Sequence, residues 1–200
     1  MSRAEQRDAT RQRIVDAAIT AFADQGFAAS STRDIAARAG VTQGLVTYHF
    51  DSKDTLWRAA ATQIFGLLVG TLPDRPRRAS NAERRAAARE QIRAYVRFAA
   101  EHPEVFHFMV DAGRHDDDRM RWLVQTCLAP RFSEITADGG IGSVAADRAA
   151  APHAYYALLG AGSLIFAVAP ECRELTGVDP TRRAAIERHA DLMAQLFVPD

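Results

Sequence analysis

The sequence predicts an all-α protein in two parts, a three-helix domain over residues 1–52 and a larger helical domain over residues 53–200. Three observations carry this. Apolar residues recur at helical spacing through most of the chain, and no run alternates with the period of two that a half-buried strand needs. Capping residues and glycines punctuate that pattern at helix-length intervals. The chain has 200 residues, 48% of them apolar, enough to build a substantial core.

Taken in order, residues 1–8 are expected as a loose arm. A first helix follows over Ala9–Gln25, with Ile14, Ala17, Ala18, Ala21 and Phe22 on one face and Gly26 ending it. Phe27 is expected beneath the next two helices. Ser31 or Thr32 caps the first of these, and Asp34 stands three residues after Ser31, where its carboxylate can answer the cap. Ile35, Ala36 and Ala39 form its apolar stripe. Gly40 falls where a left-handed residue is needed, which glycine adopts cheaply. Thr42 caps a second short helix running to about His49, and Val46 packs it back on the small Ala36. This spacing is that of a helix-turn-helix, whose second helix can lie in a DNA major groove.

Helix pairs joined by glycine also occur as plain scaffolding, so the surface of the second helix decides between the two. Leu45, Val46 and Phe50 are assigned to packing. Thr42, Gln43, Gly44, Thr47, Tyr48 and His49 are polar, aromatic or very small, whereas a merely solvated face is usually rich in Lys and Glu. Gln43 can pair with an adenine edge, and the Thr and Tyr hydroxyls can reach bases or phosphates. DNA recognition is therefore the expected role.

At these residues, T-x-x-I-A-x-x-A-G-V-T-x-G-x-V-x-Y-H-F-x-S-K-x-x-L resembles the N-terminal domain of the TetR (tetracycline-repressor-like) family of transcription regulators, over about residues 10–58. The resemblance implies that Thr32, Arg33, Gln43, Gly44, Tyr48, His49 and Lys53 lie at the DNA surface. One position departs from the family. Thr47 stands where a tyrosine is usual, which removes one aromatic backbone contact or shifts it to Tyr48.

Asp51 and Ser52 cap a strongly apolar helix over Lys53–Thr71, which begins at the DNA domain and ends inside the next. Lys53 in its first turn opposes the helix dipole, which favours a phosphate contact as its role. Residues 71–80, TLPDRPRRAS, read as a solvated basic loop. Helices follow over Asn81–Glu101 and from Pro103. Another starts at Asp116 to Asp118, carries Met120, Leu123, Val124, Cys127 and Leu128, and is kinked by Pro130 before Phe132 and Ile135. Residues 137–143 read as a connection. Two last helices span about Ala146–Ala169 and Asp179–Phe197, the second capped by Asp179 with Pro180 at its first position.

Net charge is zero, and residues 1–60 hold eight Lys or Arg against seven Asp or Glu. That balance argues against binding driven by bulk charge and for a compact footprint. Cys127 and Cys172 stand far apart with no CxxC, and the N-terminus has no apolar signal core, so a reducing cytoplasm is expected. Ala149–Pro170 lacks Asp, Glu, Lys and Arg over 22 residues, yet its alanines, glycines, His153 and tyrosines favour burial over a membrane span. His102, His107, His115 and their neighbouring aspartates do not make a metal motif, because acids at a helix start need no metal. Cys127 and His153 could in principle pair as nucleophile and base, but a cysteine in an apolar stripe is ordinarily inert. No catalytic role, cofactor or metal is assigned.

The second domain is rich in aromatic and methionine side chains. Phe65, Phe98, Phe106, Met109, Met120, Trp122, Tyr155, Tyr156 and Phe166 come from five expected helices and form either a plain core or a ligand cavity with a few polar tips. The family resemblance implies an effector pocket here. Ala157, Gly160, Ala161 and Leu164 form a small-residue face, and Ile186, Ala190, Met193 and Phe197 an apolar stripe. Together they are expected to build a two-fold four-helix interface. The expected whole is a homodimeric repressor that binds double-stranded operator DNA and releases it to a small hydrophobic effector. The alternative is an architectural DNA-binding protein without an effector.

Overall fold

A computed structural model describes residues 2–74, 79–136 and 149–199, with only the backbone at 134–136. Arg75, Arg77 and Arg78 of the basic loop, the connection over 137–143, and the expected helix start at Ala146 lie outside these residues. Every regular element described is helical: α1 Arg3–Ala29, α2 Thr32–Ala39, α3 Gln43–His49, α4 Lys53–Thr71, α5 Asn81–Glu101, α6 Pro103–Gly113, α7 Asp118–Leu123, a π turn Val124–Leu128, α8 Ala129–Thr136, α9 Ala151–Ala167, α10 Ala169–Thr176 and α11 Arg183–Phe197. They group into two compact units. The first comprises residues 1–67 with 107–125, the second 68–106 with 126–200.

In the first unit α1 begins far earlier than expected. Ser2 and Glu5 close a capping box: the Ser2 hydroxyl accepts the Glu5 amide at 3.2 Å, and the Glu5 carboxylate accepts the Ser2 amide at 2.7 Å. Helix therefore replaces the anticipated loose arm from Arg3 onward. Gly26 breaks α1 with φ 74° and ψ 170°, a region that is essentially glycine-only. Below the break Phe22 stacks on Phe27 at 5.8 Å and meets Phe108 of α6 edge-on at 6.4 Å. Trp57 of α4 stacks on Phe108 at 5.2 Å and meets Trp122 of α7 at 6.3 Å. Ile14, Ala18, Ile35, Leu56 and Leu123 are fully shielded in the same unit.

In the second unit α5, α9 and α11 share a core of Ile92, Val96, Leu158, Phe166, Ala190, Met193 and Val198. Each large apolar side chain buried there contributes about 1.5–3 kcal/mol. The ion pairs joining α5 to α11, Arg93 with Asp191 and Arg97 with Glu187, are half-exposed and partly screened by solvent. The apolar seam therefore dominates. The stripe Ile186, Ala190, Met193 and Phe197, expected to face a second subunit, is instead committed to this core. Between α5 and α9 the Tyr95 hydroxyl shares a hydrogen bond with Ser163 and donates to the Leu159 carbonyl at 3.2 Å. A methyl group at Gly162 would sit 2.8 Å from the Tyr95 ring.

Two further expectations need correction. The expected kink at Pro130 takes the form of a π turn over Val124–Leu128. A proline ring clashes with the carbonyl four residues back, here Thr126, and widening the helix relieves that clash. The widening also turns the stripe, so Leu123 is fully buried while Val124 is 39% exposed. The penultimate helix does not run on to Ala169. It ends at Ala167, and α10 leaves at 75° with Pro170 in its first turn. No single helix among the described residues is long and apolar enough to cross a membrane.

Gly26 is doubly constrained, because a Cβ there would lie 2.6 Å from an Asp111 carboxylate oxygen. Gly26→Ala is expected to destabilise the protein by about 1–3 kcal/mol from its backbone conformation alone. In urea denaturation Gly26→Ala with Asp111→Ala should recover only the steric part. A loss under about 0.5 kcal/mol, the ordinary surface range, would contradict this placement of the break.

Candidate nucleic-acid interface

The helix-turn-helix is assembled by local hydrogen bonds the sequence makes readable. Ser31 is the cap of α2, and its hydroxyl accepts the Asp34 amide at 3.1 Å. At the other end Gly40 adopts φ 64° and ψ 38°. The Val41 amide returns to the Ala36 carbonyl at 3.0 Å and the Gly40 amide to Ala37 at 3.2 Å. This paired closure is the Schellman arrangement, and it satisfies two carbonyls that helix termini leave open. Thr42 occupies the cap position of α3 in extended geometry, but its side chain makes no capping bond.

Only seven residues long, α3 is anchored by Val46 and, just beyond its end, Phe50, at 1% and 4% exposure. Leu45, expected to pack with them, is 40% exposed. It lies about 100° around the helix from Val46 and so joins the outward face. Beside it Gln43, Gly44, Thr47 and Tyr48 are exposed. The Gln43 amide donates to the Thr32 hydroxyl at 3.4 Å, so the start of α2 and the start of α3 meet on one surface. Arg33 is exposed in the next position of α2. The Thr47 hydroxyl donates back to the Gly44 carbonyl at 3.0 Å, which occupies its proton within the helix.

Lys53 has a structural partner set that the sequence did not suggest. Its ammonium donates to the carbonyls of Phe27 at 2.8 Å and Ser30 at 3.0 Å and stands 4.3 Å from the centre of the Phe27 ring. A cation that opposes the dipole of its own helix thus serves the carbonyl-rich end of another. Burial, then Arg119, holds its ammonium below the usual lysine value. Arg119 lies over the Phe27 ring at 3.6 Å. The Phe27 amide donates to Asp111 at 3.0 Å, so side chains from α4, α6 and α7 converge on this residue.

His49 packs edge-on against Tyr48 at 5.2 Å, and the Arg11 guanidinium stands 5.1 Å from the neighbouring Phe50 ring. Desolvation, then the charges of Arg11 and Arg7, lower the His49 imidazole from its ordinary 6.5, with Asp8 opposing. Position 11 was not assigned a contact from the sequence; a helix phase of seven positions back from Ala18 would have brought it to the core-facing side.

Of the side chains expected to meet an effector, Phe65, Met109, Met120 and Trp122 belong to the first unit and Phe98, Phe106, Tyr156 and Phe166 to the second. Phe65, Phe98 and Phe166 are buried, and Tyr156 is 71% exposed. Met120 borders a cavity of about 10 Å³ with Phe27, Trp57 and Asp111, while Phe166 borders an open groove of about 480 Å³ with His189 and Leu192. Among the described residues no three His, Cys, Asp or Glu side chains gather as metal ligands would.

Fold and surface together define a helix-turn-helix protein with a second helical unit. Residues 14–60 match the profile of the bacterial regulatory proteins of the tetR family. It is 39% identical over 72 residues to the HTH-type transcriptional regulator SrpR of Pseudomonas putida, covering 36% of this chain and 34% of that protein. It is 39% identical over 94 residues to the HTH-type transcriptional repressor Rv3405c of Mycobacterium tuberculosis, covering 44% and 50%. The chain thus spans half or less of the length of these relatives. A TetR-like transcriptional regulator from Rhodococcus sp. RHA1 shares the fold over 94% of this chain and 93% of its own, with a TM-score of 0.63 at 22% identity.

The His49 geometry gives a direct expectation. In an NMR titration its ring should show a midpoint below 6.5, and Arg7→Ala should move that midpoint upward. Because the folded value is the lower one, the His49 contribution to stability is complete above 6.5 and declines as pH falls through the folded midpoint. A midpoint indifferent to Arg7 would place that side chain away from α3.

Proposed function

We propose that the chain is a cytoplasmic transcription repressor that reads a two-fold DNA operator with α3, acts as a homodimer and releases the operator when a small, largely hydrophobic effector binds. The observation that carries this is the outward face of α3. Gln43, Gly44, Leu45, Thr47 and Tyr48 are exposed together on a helix pinned by Val46 and Phe50. Gln43 supplies bidentate donor and acceptor chemistry for a base edge, and Leu45 an apolar contact suited to a thymine methyl. Thr32, Arg33, Thr42, His49 and Lys53 complete the proposed footprint. For Lys53 a phosphate contact requires sharing the ammonium now held by the carbonyls of Phe27 and Ser30. Residues 1–52 carry DNA reading in this proposal, and residues 53–200 carry the effector and dimer functions.

The effector part rests on the eight aromatic and methionine side chains named above. The dimer part has a firmer footing in exposure. Leu164 on α9 is 50% exposed, and Leu192 and Leu196 on α11 are 49% and 59% exposed. Ala157 and Ala161 are exposed on the same helix as Leu164. Large apolar surfaces of this kind ordinarily mark an interaction site, and α9 with α11 from two subunits would form a four-helix bundle.

Duplexes selected by the full chain from a random-sequence pool test the DNA part. Gln43→Ala should change base preference at one position per half-site, costing about 1–3 kcal/mol there. Equal weakening on every sequence would assign Gln43 to the backbone instead. For the dimer, Leu164→Arg should shift the protein to monomer in sedimentation velocity, since an unpaired charge would be buried. A variant that sediments as wild type does would move the interface off α9.

A further inference from the structure

The described part of α1 extends beyond the core. Its inward face reads Phe22, Ala18, Val15 and Ile14, all buried, and then continues one helical turn at a time through Arg11, Arg7 and Arg3, all exposed. The same side of one helix thus changes from apolar to guanidinium where the underlying bundle stops. Helix rise puts Arg3 about 12 Å from Arg11 along the axis, three to four base-pair steps of a duplex.

The row starts at the end of α3. Arg11 stands over the ring of Phe50, the residue that terminates α3, at 5.1 Å. From that fixed point Arg7 and Arg3 lead outward. We propose that this overhang is a second DNA-binding surface, in which Arg3, Arg7 and Arg11 lie along phosphates flanking the half-site that α3 reads. The inference rests on DNA reading by α3 and adds to it a sequence-independent contact outside the bases.

Ordinary solvation does not account for the pattern. Like charges at i and i+4 destabilise a helix, and this stripe contains two such pairs in succession. On other helices two arginines face acids one turn away, Arg58 with Asp54 at 2.8 Å and Arg93 with Glu90 at 3.6 Å. Here Glu5 is occupied by the Ser2 cap. Asp8 stands against Arg7 at 3.7 Å with both side chains largely exposed, a contact that counterions and water screen. The capping box nonetheless keeps this overhang helical from its first turn, which places the three arginines along one face of α1. An anionic strand laid along the row would neutralise the repulsion. Desolvation lowers the His49 imidazole most, and the charges of Arg11 and Arg7 lower it further, so two of the three arginines act at the end of α3.

The test compares the full chain with Arg3→Ala/Arg7→Ala and with Arg3→Lys/Arg7→Lys, leaving Arg11 in its place on Phe50. Duplexes selected by the full chain from a random-sequence pool are used with long flanks and trimmed to the bases read. On flanked duplex the alanine pair should reduce the slope of log affinity against log salt by about 0.9 for each phosphate no longer neutralised, about 1.8 per subunit, with base preference unchanged. The lysine pair should retain the slope, and on trimmed duplex all three proteins should agree. An unchanged slope on flanked DNA overturns the proposal, as does an equal reduction on both duplexes. If the full chain selects no duplex at all, DNA reading by α3 fails first and this surface with it.

Discussion

The direction in which the chain leaves α1 fixes everything that follows in the first unit. Gly26 turns the backbone through a conformation with φ 74° and ψ 170°, and three separate groups then hold the turned segment. Ser30 donates its hydroxyl to the carbonyls of Gly26 at 2.7 Å and Ala21 at 3.0 Å. Lys53 gathers the carbonyls of Phe27 and Ser30, and Asp111 accepts the Phe27 amide. Because α2 starts two residues after Ser30, these bonds set where the helix-turn-helix begins. The attitude of α3 is thereby tied to residues of α4 and α6, neither of which lies in the motif itself.

The two units are stabilised in different ways. The first relies on aromatic contact, with Phe22, Phe27, Trp57, Phe108 and Trp122 linked ring to ring and cations from Lys53, Arg58 and Arg119 laid on their faces. Such contacts add about 0.5–1.5 kcal/mol per aromatic pair beyond burial. The second is built round the seam of α5, α9 and α11, where Ile92, Val96, Leu158, Ala190 and Met193 pack beside Phe166 and the missing side chain of Gly162 admits the Tyr95 ring.

Much of the helix-turn-helix was legible in the sequence because its determinants are local. Ser31, Gly40 and Val46 are each a one-residue signal for a cap, a left-handed turn and a packing point. The early start of α1 was legible too, since Ser2 and Glu5 have capping-box spacing, but the charged composition around them suggested a free arm. Tertiary choices were not legible. Periodicity identifies the buried stripe of α11 without saying whether α5 or a second subunit covers it. Lys53 is a clear anomaly in its own helix, yet its carbonyl partners lie more than twenty positions away. Of the residues proposed to meet an effector, composition selected the chemistry and left their placement undetermined, as exposed Tyr156 and buried Phe98 illustrate.

The tight seam between α5 and α9 also sets how far the second unit tolerates alkali. Desolvation pushes the Tyr95 phenol from 10 up to about 12, against a smaller opposing effect of its bond to Ser163. Folding therefore holds a proton that the unfolded chain gives up. The contribution is complete below pH 10 and is progressively lost as pH climbs toward about 12, where the phenolate would have to form between packed helices. A close contact between two helices thus gives this part of the protein an upper pH boundary that its half-exposed ion pairs do not determine.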